Sequence, residues 1–332
     1  MELTKIVIDA MGGDDAPKAT VEGAIWALKE NQDIYLYLVG DRVQINDILK
    51  DKSYDKDRLE VVHTDEVISN EESPVLAIRR KKNSSMVVAL NMVKEKKAEA
   101  FVSAGSTGAV LAGGTLIVGR IKGIERPALG SLLPTGTGMT LLIDCGANVD
   151  SKPHFLQQFA KMGSVYYGSI LDQPNPSVGL LNNGSEEKKG NTLTKEAFKL
   201  LKDEPYINFI GNIEGREVPE GKADVVVCDG FAGNVVLKLY EGLGATLMGM
   251  IKESIMSTTV SKIGGLLIKN SLGEMKKKMD YTEYGGAPLL GLEGLVVKAH
   301  GSSNAKAIKN SIIQCKTFAD KKVNDQIKKQ LL

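Results

Sequence analysis

A three-layer, doubly wound α/β fold on a mostly parallel sheet is what this sequence predicts, and two observations carry that reading. Short apolar, β-branched runs alternate with segments of helical periodicity along most of the 332 residues, the pattern of buried strands covered by helices on both faces. Five of those runs leave through a turn of small, glycine-rich composition and pass directly into a helix. Strand-to-helix turns of that kind gather at the carboxyl ends of the strands, where ligands bind in open α/β sheets.

Taken in chain order, the runs KIVID (5–9), YLYLV (35–39), LEVVH (59–63), AEAFVS (98–103), TLLID (140–144), SVGLL (177–181), INFI (207–210), DVVVC (224–228) and LVVKA (295–299) are the expected strands. Between them, helices are expected over 17–30, 84–97, 107–118, 153–171 and 192–202. No Pro/Ser-rich linker, repeat or low-complexity tract divides the chain, so 1–332 reads as a single α/β unit. Any two-lobed shape would come from strands that cross between lobes. The stretch 245–279 stands apart as a long helical excursion without proline, interrupted by Gly264 and Gly265 and closing in Lys276, Lys277 and Lys278.

Composition bounds the function. Lysine and arginine number 42 against 41 acidic residues, too even a balance for a nucleic-acid binder, so any anion recognition is local. Cys145, Cys228 and Cys315 form no CxxC pair, which points to neither a disulfide framework nor zinc and fits a reducing compartment. MELTKIVIDA runs straight into a strand without the regions of a signal peptide. No apolar run reaches the ~20 residues that cross a bilayer. A cytoplasmic protein is expected.

The five turns are AMGGDDAP (10–17), AGSTGA (104–109), CGAN (145–148), NNGSEEKKG (182–190) and DGFAGN (229–234). Glycines permit positive φ and close approach, so consecutive backbone N–H groups can point at one anion at a helix N-terminus. Gly, Ser and Asp also serve as ordinary helix caps; five such turns in register favour a phosphate site. Ser103, Ser106 and Thr107 add hydroxyl donors in the second turn. No GxGxxG follows the first strand, and AGSTGAVLAGG lacks a Walker lysine, so a nucleotide is not expected. Arg126, in GIERPALGS ahead of a strand-like run, has a guanidinium that could grip phosphate bidentately or join a surface ion pair.

Other catalytic constellations are missing from the sequence. His63, His154 and His300 build no linear metal motif, and neither HExxH nor GxSxG occurs, so no metal is expected. His300, in KAHGSSN at a strand end, is the best placed histidine, as a catalytic or a hydrogen-bonded structural group. Attack of phosphate on a thioester needs little acid–base help, since the nucleophile is already ionised and a thiolate of pKa about 8.5 leaves readily. An N–H cradle and an arginine, rather than a triad, are what such a reaction calls for.

The segments IVIDAMGGDDAPKATVEGA, SAGSTGAVLAGGTLIVGRIKGIERPALGSLLPT, LLIDCGANVDSKPHFLQQFAKMGSVY, VGLLNNGSEEKKGNTLTKEAF, FIGNIEGREVPEGKADVVVCDGFAGNVVLK and GGAPLLGLEGLVVKAHGSSN follow in the order of a known family. The chain resembles the phosphate acyltransferases of bacterial phospholipid synthesis, called PlsX, over nearly its whole length. That resemblance implies conversion of an acyl-[acyl-carrier-protein] and inorganic phosphate to acyl phosphate, without cofactor. It implies a homodimer with a fold similar to isocitrate dehydrogenase and phosphotransacetylase, and a membrane glycerol-3-phosphate acyltransferase as downstream partner; release of a long-chain product then fits a protein peripherally attached to the membrane surface.

On that footing Ser103, Gly105, Ser106, Thr107 and Arg126 are assigned to phosphate, with Arg126, Ser106 and His300 as catalytic candidates. Gly12, Gly13, Asp14, Asp144, Asn148, Asn182, Glu186, Lys189, Asp229 and Asn234 are expected to line the same cleft. In the excursion, Ile268, Leu272, Met275 and Met279 recur at spacings of four and three beside Lys269 and Lys276 to Lys278, as in an interfacial helix. A dimer-packing helix is the alternative for that segment. Two further functions stay open: a dehydrogenase on the isocitrate/isopropylmalate dehydrogenase-like fold, which would need an aspartate metal cluster and a dinucleotide loop, and a non-catalytic scaffold that recruits lipid enzymes.

Overall fold

The computed structural model describes residues 3–279, 283 and 285–331, with the backbone alone at 276–279 and 331. The first half runs β1 Thr4–Asp9, α1 Lys18–Glu30, β2 Ile34–Gly40, α2 Arg42–Leu49, β3 Leu59–His63, α3 Pro74–Arg80, α4 Ser85–Lys94, β4 Ala100–Ser103 and α5 Thr107–Gly113, the last extended by a wider turn at Gly114–Val118. The second half runs β5 Ala128–Thr135, β6 Gly138–Ile143, α6 Pro153–Ile170, β7 Ser177–Asn182, α7 Thr192–Lys202, β8 Asn208–Glu214, β9 Val225–Val227, α8 Gly230–Met256, α9 Thr259–Leu267 and α10 Lys269–Met279. The chain then returns to the middle as β10 Ala287–Leu290 and β11 Leu295–Lys298 and closes with α11 Ala305–Asp320 and α12 Val323–Leu331.

All strands join one 11-stranded sheet in the order β3-β2-β1-β4-β11-β10-β5-β6-β9-β7-β8. Strand side chains alternate between two cores, as the pleat requires. Ile6, Ile8, Leu141, Ile143, Val225 and Val227 face the helices α1, α6, α7 and α11. Val7, Leu142 and Val226 face α4, α5 and the start of α8. This is the expected three-layer, doubly wound arrangement, with both faces of the sheet covered.

The nine expected strands are present, most with shifted ends; β5 and β10 join them at the centre. Those two carry the antiparallel pairings, β11 with β10, β10 with β5, and β5 with β6. Every other pairing is parallel. Three reversals between β11 and β6 leave the two halves of the sheet running in opposite directions. The helical excursion also differs from expectation. It is three helices, begins at Gly230 as α8, and breaks near Ser257 and Ile268. Among the described residues no helix is long and apolar enough to cross a membrane.

Candidate active site

The turns that follow β1, β4 and β11 meet, because these strands are adjacent and parallel. Asp9, the last residue of β1, is buried there and accepts hydrogen bonds from Ser85 Oγ at 2.6 Å and Ser103 Oγ at 2.7 Å. Burial raises its carboxyl pKa, while the two hydroxyls and the Met11 N–H act in the opposite sense. Ser103 Oγ in turn accepts from the Gly105 N–H at 3.0 Å. Gly12 must be glycine in this packing: a Cβ would lie 2.6 Å from Asp9 Oδ2 and 2.8 Å from the Gly105 nitrogen. Gly13, at φ +111°, lets the first turn fold back onto Ala104 and Gly301. The Asp14 N–H then donates to Gly301 O at 2.8 Å.

Lys298 ends β11 in register with Ser103 of β4. Its side chain is buried, and its ammonium donates to Ala104 O at 3.5 Å and to Ala299 O. Burial, then repulsion from Lys238, lowers its pKa to about 8, with Asp14 and Asp9 opposing the shift. His300 follows two residues on. Its Nδ1 accepts from the Ser302 N–H at 3.2 Å, and its Nε2 lies 3.4 Å from Nζ of Lys238 on α8. Burial and the Lys238 charge lower the imidazole pKa below its ordinary value.

These groups stand at one part of a cavity of about 550 Å³ bounded by the sheet, α5 and α8. Thr107, Lys238, Lys298, His300 and Ser303 supply polar groups, while Leu129, Leu132, Leu133, Leu237 and Met248 supply an apolar wall. The pairing of charged donors with a hydrophobic wall suits a ligand with an anionic head and an apolar body.

Of the residues assigned from sequence to phosphate, Thr107 lines this cavity. Ser103 and Gly105 are spent on the Asp9 network behind it. Ser106 Oγ caps α5 by accepting from the Ala109 N–H at 3.4 Å. Arg126 is placed elsewhere: its guanidinium sits 5.9 Å from the Phe155 ring centroid in a separate surface depression with Arg120 and Lys152. It enters β5 from the end of the sheet where β6 finishes, since Gly130 pairs with Ile143.

The expectation that all five turns share one end of the sheet fails for the same reason of strand direction. Gly146 and Asn234 do reach the cavity. Asp144 stays buried behind it, accepting from the N–H groups of Leu129, Gly146, Ala147 and Asn148 and from Asn148 Nδ2. Asn148 also donates to Pro127 O at 2.8 Å, a packing role. Asp229 caps α8 through the N–H groups of Phe231 and Ala232. Asn182, Glu186 and Lys189 are not brought to this wall. They form their own loop beside the outer strands β7 and β8, with Asn182 Nδ2 donating to Lys189 O and Asn212 Nδ2 to Glu186 O.

On the excursion, Ile268 is exposed, Leu272 and Met275 are half-buried, and the Met279 side chain lies outside the described residues. The most exposed apolar groups fall one helix earlier, at Val260 and Leu267 of α9, 80% and 82% exposed. Sequence reasoning missed Lys238, Lys298 and Ser303. The one available signal was a lysine closing the otherwise apolar run LVVK.

Residues 4–326 match the family described as Fatty acid synthesis protein. A phosphate acyltransferase from Alkaliphilus oremlandii (strain OhILAs) is 55% identical over 323 residues, 97% of this chain and 96% of that protein. A phosphate acyltransferase from Clostridium botulinum (strain Alaska E43 / Type E3) is 54% identical over 327 residues, 98% of each. Among solved structures, a phosphotransacetylase from Streptococcus pyogenes shares the fold with a TM-score of 0.65 and 17% identity, covering 96% of this chain and 94% of that one.

Proposed function

We propose, since this chain belongs to the phosphate acyltransferase family of fatty acid synthesis proteins, that it moves a fatty acyl group from the thioester of an acyl carrier protein onto inorganic phosphate. An oxygen of hydrogen phosphate attacks the thioester carbonyl carbon, and the carbon–sulfur bond breaks. The phosphate proton ends on the departing sulfur, and the products are an acyl phosphate and the free carrier thiol. Positioning and charge stabilisation dominate such a step, because the nucleophile is already ionised.

The observation that carries this reading is the composition of the cavity, with Lys298, Lys238, His300, Ser303 and Thr107 beside the leucine wall of β5 and Met248 of α8. A cationic, hydroxyl-bearing part suits phosphate, and an apolar wall suits the acyl chain. Incubation with a long-chain acyl carrier protein and labelled phosphate tests it, with trapping of the product by hydroxylamine. Formation of the acyl hydroxamate in proportion to phosphate is expected; a wild-type protein that forms none refutes the reading.

The helical arm supports a second part of the proposal. Val235, Leu239, Leu243, Leu247 and Met250 are exposed on α8 at spacings of four and three, a stripe suited to pairing with a second copy. Val260, Ile263, Leu266 and Leu267 are exposed on α9, suited to the interface of a bilayer. A homodimer joined through α8 and resting on lipid through α9 delivers a long-chain product where a membrane glycerol-3-phosphate acyltransferase consumes it.

A further inference from the structure

We propose that a tetrahedral phosphate oxyanion seats on Lys298, Ser303 and Thr107, rather than on the arginine and serine that the sequence favours. The assignment rests on the acyl-transfer reading only for the identity of the occupant. It stands on geometry that precedes any reaction.

Three observations converge. Ser303 is 4% exposed and lines the cavity, and its Oγ has no hydrogen-bond partner among the described residues. A buried hydroxyl without a partner forfeits roughly 1–3 kcal/mol, a penalty that a bound acceptor removes. Lys298 is also buried at this cavity, and its ammonium donates to two backbone carbonyls, which leaves one of the three ammonium donors for a ligand. Finally, the Lys238 ammonium repels that of Lys298 and lies 3.4 Å from Nε2 of His300. Asp9 and Asp14 oppose it, but Asp9 is already held by two serine hydroxyls, and Glu241 is paired with Lys238 at 2.8 Å. An anion beside Lys238 and Lys298 relieves their repulsion.

The competing donors are engaged elsewhere. Ser103 serves Asp9, Ser106 caps α5, and Arg126 lies in another depression. Thr107, at the first position of α5, adds a hydroxyl to the same cavity.

Phosphate chemistry could come from free inorganic phosphate or from the phosphopantetheine arm of a carrier, and two titrations separate them. In the first, inorganic phosphate is titrated into the full-length protein without acyl donor, followed by 31P line broadening. Ser303→Ala is expected to weaken binding about fivefold and Lys298→Met by more than about tenfold, with Lys298→Arg intermediate. Circular dichroism checks that each variant is folded. In the second, 4′-phosphopantetheine competes; no displacement assigns the seat to inorganic phosphate, and displacement keeps the seat while assigning it to the carrier arm.

Binding within about twofold of wild type in both variants overturns the proposal, as does a wild-type protein that takes up no phosphate. Because no acyl donor is present, the two readings fail separately. Phosphate binding that depends on Ser303 without any acyl phosphate formed sinks only the reaction. Acyl transfer whose phosphate KM ignores both variants sinks only the seat.

Discussion

The ammonium of Lys238 lies 3.4 Å from Nε2 of His300, so the long helix that follows β9 touches the turn that follows β11 across the cavity. A backbone N–H at Nδ1 and an ammonium at Nε2 both disfavour a protonated ring. Burial acts in the same sense. Glu241 and Asp14 oppose these effects but do not reverse them. His300 is therefore a neutral imidazole near pH 7.

Replacing Lys238 with Met removes a charge that lowers the His300 pKa. The expected result is an upward shift of the His300 titration, read from its ring protons by NMR. A midpoint unmoved by Lys238→Met would show that burial alone sets the protonation state.

Lys298 gives a pH dependence of stability with a definite sign. Its pKa of about 8 in the fold lies below the ordinary 10.5, so the charged form is penalised on folding. That penalty is fully present below pH 8 and fades as pH rises toward 10.5. Lys298→Met should stabilise the protein near pH 7 by about 1–3 kcal/mol and lose most of that advantage near pH 10. Urea denaturation of both proteins at the two pH values measures this, and an advantage that does not shrink with pH contradicts it.

Two glycines should respond oppositely to alanine. At Gly12 the new Cβ meets Asp9 Oδ2, the Gly105 nitrogen and Ser103 Oγ within 3 Å, so Gly12→Ala should cost about 1–3 kcal/mol. At Gly242, on an exposed turn of α8, nothing lies within 4 Å. Gly242→Ala should stabilise by about 0.5–1 kcal/mol. Denaturant midpoints that move the same way in both variants would refute the packing argument.

Arg126→Ala should leave phosphate affinity within about twofold of wild type, since the guanidinium sits over Phe155 in its own depression. Phosphate titration into the variant decides this. A loss comparable to that of Lys298→Met would place the anion at the Arg126 depression instead.

For the arm, Leu267→Glu places a charge on the most exposed large apolar side chain of α9 and should release the protein from anionic vesicles in a flotation assay. Leu243→Glu on α8 should instead reduce the mass seen by light scattering. The reverse pattern, with each change affecting the other property, would exchange the roles of the two helices.

The parallel strands were legible because burial on both faces demands continuous apolar, β-branched runs such as IVID and VVVC. β5 and β10 were not. ALGSLLPT carries Gly130, Ser131 and Pro134, and APLL is a four-residue strand with a proline. Their pairing is imposed by neighbours rather than by propensity. Missing them hid the reversal of strand direction, and with it the separation of Arg126 and the 182–190 loop from Lys298. The glycine-rich turns were correctly found, but which of them converge depends on sheet order. Lys298 shows the limit most clearly: the sequence places it only within the strand 295–299, and its register with Ser103 is what brings it beside the Asp9 network.

The reversal has a mechanical consequence. Across the middle of the sheet, β11 and β10 are registered only at Ala287–Lys298 and Pro288–Val297, and β10 and β5 only at Leu289–Leu129 and Leu290–Ala128. By contrast β5 and β6 are matched along their length, from Gly130–Ile143 to Thr135–Gly138. These two short ladders lie beside the cavity that Lys298 and Gly146 line. Flexing about those ladders would break few strand-to-strand hydrogen bonds while changing the distance between the cavity walls.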